Sequence, residues 1–253
     1  MSLSSWGNYP KIKSKIFKFD KCSTLLNILN EHNDLIVYGN GRSYGDSALS
    51  RNIVKSKYHN YFLNFEESTG LLHVQAGVML SDILDIFIPK GWFLAITPGT
   101  KLITVGGAVA SDVHGKNHHL NGCFSECVKA FKLMLSNGEI IKCSRQENSE
   151  LFKATCGGMG LTGIVIDVEI FLKRIESTNI SQVTIKTANL KETFEVFEEY
   201  ANKEYLVAWI DCLAKDKKLG KCLITAGSFS NDGDLDYQAE KRKKYLLIFL
   251  HLY

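Results

Sequence analysis

Proline is almost missing from this chain, with three in 253 residues, so no proline-rich linker divides it. An excess of charge of one sign is missing too. Thirty Lys and Arg against 27 Asp and Glu leave a net charge of +3. That is too small to argue for nucleic acid as a partner, and no basic stripe with interleaved aromatics is present. The cysteines Cys22, Cys123, Cys127, Cys143, Cys156, Cys212 and Cys222 are an odd, scattered set without a C-x-x-C pair. They support neither a disulfide framework nor a zinc knuckle, and a reducing, cytoplasmic compartment fits them best. The first ten residues lack the basic n-region and apolar h-region of a signal peptide. What remains is 45% hydrophobic and 23% charged, ordinary for a globular protein. The length allows one large domain, or a domain and a half, with a sizeable core.

Glycine, by contrast, is concentrated. Residues 99–119 read Gly-Thr-Lys-Leu-Ile-Thr-Val-Gly-Gly-Ala-Val-Ala-Ser-Asp-Val-His-Gly-Lys-Asn-His-His, with four glycines, three histidines and hardly any periodicity. Such a stretch reads as a loop whose backbone approaches a ligand closely, since glycine has no Cβ to obstruct it. Two more clusters flank it: Gly39-Asn-Gly-Arg-Ser-Tyr-Gly45 and Gly157-Gly-Met-Gly-Leu-Thr-Gly163. Three such loops within 165 residues suggest one large ligand held mostly by main chain.

Around them strands and helices alternate. Residues 35–38 are a short apolar run feeding the first cluster, as a buried strand does. Residues 61–65 and 71–76 form a hairpin-like pair. Residues 80–88 have helical spacing and stop before Pro89 and Gly91. Residues 128–135 and 139–143 are joined by Asn137-Gly138, a strong hairpin signal. A short helix at 148–155 and an alternating strand at 164–172 follow. The texture then changes, with strands at 182–187, 205–212 and 221–226 around an amphipathic helix at 190–202. A domain boundary is expected near residue 175, giving domains 1–175 and 176–253.

The third cluster contains Gly158-Met-Gly-Leu-Thr-Gly163, which matches G-x-G-x-x-G. In a Rossmann unit that motif follows a strand and opens a helix, so that a pyrophosphate meets the helix N-terminus. Here the order is reversed, with a helix before and a strand after. The first cluster is followed by Asp46-Ser-Ala-Leu-Ser-Arg51 rather than an apolar helix, and fails as well. A pyrophosphate or flavin site built from loops remains, in which successive backbone N–H groups make an anion-binding nest.

Taken in order, Gly39-Asn-Gly-Arg-Ser-Tyr-Gly-Asp46, Gly99-Thr-x5-Gly-Gly-Ala108, Asp112-x-His-Gly-Lys-Asn-His-His119 and Gly157-Gly-x-Gly-Leu-Thr-Gly-Ile164 resemble the FAD-linked oxidases of the vanillyl-alcohol oxidase superfamily. The His114–His119 run, the preceding Thr104-Val-Gly-Gly-Ala108 and Ala208-Trp-Ile-Asp-Cys-Leu-Ala214 resemble its decaprenylphosphoryl-ribose oxidase branch. The likeness runs over roughly residues 5–230. It implies an α+β fold: a two-subdomain FAD-binding domain of the PCMH type, followed by the start of an α+β substrate domain. It also implies that Val37, Tyr38, Gly39, Asn40, Gly41, Arg42, Ser43, Tyr44, Gly45, Asp46 and Ser47 hold the pyrophosphate. By the same likeness Gly99, Thr104, Val105, Gly106, Gly107, Ser111, Asp112, Val113, His114 and Gly163 line the flavin, with Val165 reaching it through main chain.

His114 is the pivotal side chain. Many relatives tether a His in this position covalently to the flavin, whereas the branch resembled here implies non-covalent FAD; a hydrogen-bonded structural His is the plain alternative. Lys116 suits a substrate phosphate or a developing alkoxide, or is simply a solvated lysine. Tyr44 either reaches the reacting hydroxyl or packs on the flavin. Zinc at His114, His118 and His119 is disfavoured, because Gly115 and Asn117 are poor helix residues. Cys123, Cys127 and Cys156 read as small packing residues.

The chemistry implied is oxidation of a secondary alcohol on a sugar, at C2 of a polyprenyl-phosphoryl pentofuranose, as the first half of an epimerisation for cell-wall arabinan. A short-chain reductase would be the partner, with peripheral contact at the inner face of the membrane. An aldonolactone or alditol oxidase is the rival reading. Family members continue well past residue 230 and draw an essential Lys from that part, so the chain reads as C-terminally truncated, and a flavin-binding fragment without turnover is the other outcome. The ending Lys241-Arg-Lys-Lys-Tyr-Leu-Leu-Ile-Phe-Leu-His-Leu-Tyr253 is too short in its apolar part for a membrane span of about 20 residues.

Overall fold

A computed structural model describes residues 1–32 and 34–237; the basic and apolar run at 241–253 lies outside the described residues. The chain divides into two compact units, one made of Met1–Ile83 with Leu94–Leu172, the other of Leu84–Phe93 with the residues from Lys173 onward.

The first unit opens with the two-residue strands β1 (Ser2–Leu3) and β2 (Ile12–Lys13), which pair antiparallel. Strand β3 (Lys15–Lys18), helix α1 (Cys22–Glu31), and strands β4 (Leu35–Tyr38) and β5 (Asn52–Lys55) follow. Both β3 and β4 run parallel to the central β5. Leu25 of α1 is fully buried, and with Phe19 and Val54 it packs against Met134, Ile164 and Ile166 of the next sheet. The helix itself buries one leucine stripe, which is what its spacing of Leu25, Ile28 and Leu29 provides.

That next sheet is antiparallel. Strands β6 (Phe62–Glu66) and β7 (Leu71–Gln75) form its edge hairpin. Helix α2 (Leu80–Phe87) starts within the first unit and passes into the second, where a 3-10 turn over Ile88–Lys90 accommodates Pro89 and the short strand β8 (Trp92–Leu94) follows. Helices α3 (Val105–Ala110) and α4 (His118–Asn121) come next, then strands β9 (Val128–Met134) and β10 (Ile140–Ser144), helix α5 (Ser149–Thr155) and strand β11 (Ile164–Arg174). The sheet order is β10-β9-β11-β7-β6. Strand β11 lies between two partners, and its long apolar run of buried residues follows from that position. Asp167 is the exception. It is buried in β11, bonded to His73 Nε2 at 2.8 Å and paired with Lys132 Nζ at 3.5 Å, so its charge is compensated on both sides.

The second unit contains strand β12 (Ile180–Thr187), helix α6 (Leu190–Glu199), and strands β13 (Tyr205–Ile210) and β14 (Cys222–Phe229). The antiparallel order is β12-β14-β13. Asn189 caps α6 by accepting the Glu192 N–H at 3.0 Å, and the Glu192 carboxylate accepts the Ala188 N–H in return. The pair resembles a capping box, with the amide of the preceding residue in place of the N-cap's own. Val196 packs on Cys222 and Ile224 to make the small core. Two units of mixed helix and antiparallel sheet, with one small parallel sheet, make the fold α+β.

The order of elements bears out the strands and helices expected from residue 35 onward, with boundaries moved by a few residues. Residues 99–119 differ. They were expected as one loop, yet α3 and α4 occupy ten of those and the following positions. Six residues with two adjacent glycines carry no readable periodicity, and α3 forms because Val105, Ala108 and Val109 are fully buried. Tertiary packing overrides weak propensity here.

Candidate functional site

All three glycine clusters belong to the first unit, and α3 is the piece that joins them. From the first cluster, Asn40 Nδ2 donates to the Leu102 carbonyl at 2.8 Å. A Cβ on Gly39 would lie 2.6 Å from Thr104 Oγ1, so the two segments are in direct contact. From the third cluster, the Gly157 N–H donates to Val109 O at 3.1 Å and the Met159 N–H to Ala110 O at 2.8 Å. Those carbonyls lie in the last turn of α3, where a helix has no internal donors left for them. Thr104 caps the other end, accepting the Gly107 N–H at 3.1 Å.

The first cluster, Gly39–Gly45, opens the segment 39–51 between β4 and β5. Gly41 has φ +66°, and a Cβ there would stand in the phenol of Tyr38, 2.0 Å from Oη. Its glycine is therefore required by a protein side chain as well as by any ligand. Gly45 is different: no protein atom lies within 4 Å of the place its Cβ would take, and the same holds for Gly99. Arg42 brings the positive charge. Its Nε is buried without a protein acceptor, and its proximity opposes the rise that burial imposes on the Tyr38 phenol. Asp46 and Ser47 are exposed beside it.

The second cluster contributes to a cavity. Thr97, Pro98, Gly99, His114, Gly115 and Lys116 line one open cavity of about 380 Å³. Gly115 fits because a Cβ there would meet the Thr97 carbonyl at 2.3 Å. Asn117, fully buried, holds the next residue down: its Nδ2 donates to Ala95 O at 2.8 Å and to Asn121 Oδ1 at 3.2 Å, and its Oδ1 is buried without a protein donor. His114 and Lys116 are thus brought together at the mouth. The His114 and His118 rings meet edge to face at 5.1 Å, and His118 Nε2 lies 3.6 Å from Cys123 Sγ. Among the described residues no group of three His, Cys, Asp or Glu is disposed to hold a metal.

Asp112 sets the local negative charge. It sits at φ +39° and its carboxylate accepts from Ser125 N–H at 2.8 Å and Ser125 Oγ at 3.1 Å. Burial first and then the Asp112 charge push the Cys156 thiol up to about 12. Burial does the same to Cys127, reinforced by Asp112 and Glu126. These cysteines stay protonated, which suits packing residues rather than nucleophiles.

Other expected site residues are placed as follows. Tyr38, Thr104 and Val105 are buried, Val37, Gly106, Gly107, Ser111 and Val113 half-buried, and Ser43 half-buried with its carbonyl in a backbone bond. Gly163, at φ +152°, packs against Met134 O, and Val165 is buried in register with Leu133. Tyr44 is 88% exposed and is not among the cavity's lining residues. Sequence reasoning assigned no role to Thr97, Pro98 or Asn117. Asn117 stood inside the Lys116–His119 motif, and its polarity at a fully buried position is visible only in the fold.

Backbone donors and one arginine beside glycines that leave open space fit an elongated anionic ligand, and the neighbouring cavity with His and Lys fits a reacting group next to it. Together with the α+β fold these features fit a cofactor-binding domain of the PCMH type. Residues 19–144 match the family model of the FAD binding domain, and the chain belongs to this superfamily of FAD-linked oxidases. It is 35% identical over 212 residues to decaprenylphosphoryl-beta-D-ribose oxidase of Mycolicibacterium smegmatis, covering 82% of this chain and 46% of that protein. It is 26% identical over 174 residues to a putative D-arabinono-1,4-lactone oxidase of Neurospora crassa, covering 68% and 31% respectively. To L-gulonolactone oxidase of Bos taurus it is 24% identical over 203 residues, covering 79% and 45%. The chain therefore spans less than half the length of each of these relatives. Among the described residues no helix is long and apolar enough to cross a membrane.

Proposed function

We propose that the chain carries the flavin half of a sugar oxidase acting on a secondary alcohol, with C2 of a polyprenyl-phosphoryl pentofuranose as the carbon oxidised. The observation that carries this reading is the shared cavity, which His114 and Lys116 line together with Gly99 and Gly115. FAD, when bound, supplies the two-electron acceptor. The chain's own residues hold it and handle the proton. Residues 37–47 bind the diphosphate through backbone N–H groups and Arg42, while residues 99–114, Gly163 and Val165 line the ring system. The His114 imidazole takes the hydroxyl proton. The Lys116 ammonium stabilises the oxygen as negative charge grows on it, or a substrate phosphate. Tyr44, exposed and outside the lining of that cavity, is assigned to packing on the flavin rather than to this hydroxyl. Non-covalent FAD is the binding mode we assign.

Residues 1–175 then form the FAD-binding domain and residues 176–253 the beginning of a substrate domain. A short-chain reductase would return the ketone to the epimeric alcohol for cell-wall arabinan, and the substrate's polyprenyl tail would bring the enzyme to the inner membrane face. The name of the 35%-identical relative supports this substrate class. The lactone oxidases at 26% and 24% identity favour a second reading, an aldonolactone-type sugar oxidase. Anaerobic bleaching of bound flavin separates them. Bleaching by a polyprenyl-phosphoryl pentose, and not by an aldonolactone, is expected. The reverse pattern selects the second reading, and no bleaching by either reduces the chain to a flavin-binding module.

A further inference from the structure

The first glycine cluster is gripped from outside by a segment that precedes the matched domain at residues 19–144. The Trp6 N–H donates to Ser43 O at 3.0 Å. The Tyr38 hydroxyl donates to Ser4 O at 3.0 Å, passing beneath Gly41. The Arg42 guanidinium lies over the Trp6 ring, 5.2 Å from its centroid. Between these contacts Ser5 is buried. The same segment is tied down at the other end of the cluster, where Ser14 Oγ donates to Ser50 O at 2.6 Å and Lys15 N–H to Arg51 O at 2.7 Å. Residues 4–15 therefore clasp both ends of residues 39–51.

A guanidinium has two kinds of surface. Its face attracts an aromatic ring, and its edge carries the N–H donors in one plane. The Trp6 ring lies under Arg42 Cζ, and the terminal guanidinium N–H groups, which make no hydrogen bond among the described residues, are left for an anion. An arginine fixed in this way loses less rotamer freedom when it binds an anion than one free in solvent. Trp6 is 53% exposed, so its ring is not held in place by core burial. We propose that Trp6 is a positioning residue that pre-orients Arg42 for the diphosphate of FAD. The inference rests on the placement of the diphosphate at residues 37–47.

The test is a fluorescence titration of the deflavinated 253-residue chain with FAD and, separately, with riboflavin, which has no diphosphate. Trp6→Ala should weaken FAD binding roughly tenfold, within the range of a cation–π contact, and leave riboflavin affinity unchanged. Trp6→Phe keeps an aromatic face and should stay within about threefold of the native chain. Arg42→Ala should lose more, and Trp6→Ala added to it should cost nothing further, because the tryptophan acts through the arginine. Native FAD affinity in Trp6→Ala overturns the proposal. So does an equal loss of FAD and riboflavin, which would mark a general structural role, or full additivity in the double variant. Unchanged FAD affinity in Arg42→Ala overturns the diphosphate placement itself, and the role of Trp6 with it.

Discussion

Thr104 is where a single hydroxyl supports the junction of two ligand loops, and replacing it by valine isolates that hydroxyl. The side chain is 1% exposed, so no water can replace it. Thr104→Val keeps the volume and the contact with Gly39, but removes the acceptor for the Gly107 N–H. Loss of such a cap costs about 1 kcal/mol, and an amide left unpaired away from water costs about 1–3 kcal/mol. Taking about 1.5 kcal/mol, and about 2–4 °C per kcal/mol for a chain of this size, the melting temperature should fall by about 3–6 °C. Thr104→Ser keeps the cap and gives up one methyl, about 0.8 kcal/mol, or about 2 °C. Thermal unfolding followed by far-UV circular dichroism gives both numbers, and visible circular dichroism of bound flavin shows whether the loops remain docked. The expected order is native, then serine, then valine. A valine variant melting within about 1 °C of the native chain, or above the serine variant, would refute the capping argument.

Further outcomes are expected. Acid precipitation should release yellow colour to the supernatant, whereas colour kept in the pellet would show a covalent link to His114 or a cysteine. His114→Ala and Lys116→Ala should retain FAD yet slow substrate-driven bleaching on the order of 100-fold; unchanged bleaching removes them from the mechanism. Cys127 ionises at about 12 in the fold against 9.0 ordinarily. Its folded pKa is raised, so it leaves stability intact below pH 9 and costs up to about 1.4 kcal/mol per pH unit as pH rises from 9 toward 12. The stability difference between native and Cys127→Ala chains should fall above pH 9, and parallel curves would contradict that. In the native state a thiol reagent should modify exposed Cys212 first and leave buried Cys127, Cys143 and Cys222 protected until denaturant is added; early loss of Cys143 would contradict the packing described.

The regular antiparallel elements were legible in the sequence because alternation and turn chemistry are local signals. Asn137-Gly138 announces the β9–β10 hairpin, and residues 164–172 show a strand that proves to run on to Arg174. The reversed order around Gly158–Gly163 was legible too: α5 precedes it and β11 follows. Strands β3 and β5 were missed, since Lys15–Lys18 and Asn52–Lys55 are four residues each with polar or charged ends. Helix α1 was missed as well, because its apolar stripe of Leu25, Ile28 and Leu29 is short and only Leu25 is buried. At the candidate site, the motifs pointed to loops that the fold brings into contact, but not to why each glycine is there. Gly41 makes way for Tyr38 and Gly115 for the Thr97 carbonyl, both contacts between residues that the sequence gives no reason to pair.

The small parallel sheet has one more consequence. Adjacent parallel strands need a crossover between them, and such crossovers are commonly a helix. Between β4 and β5 the crossover is the glycine cluster itself. An ordinary surface loop tolerates insertion because lengthening it costs little. This one cannot change length without shifting β5, which pairs with both of its neighbours, and it cannot be ordered by ligand without also ordering the sheet. Amide hydrogens of β3, β4 and β5 should therefore exchange more slowly once FAD is bound. With the diphosphate at the proposed place, the cofactor would take a share in closing a β-sheet, and the loop that carries it would be constrained in span as well as in contact.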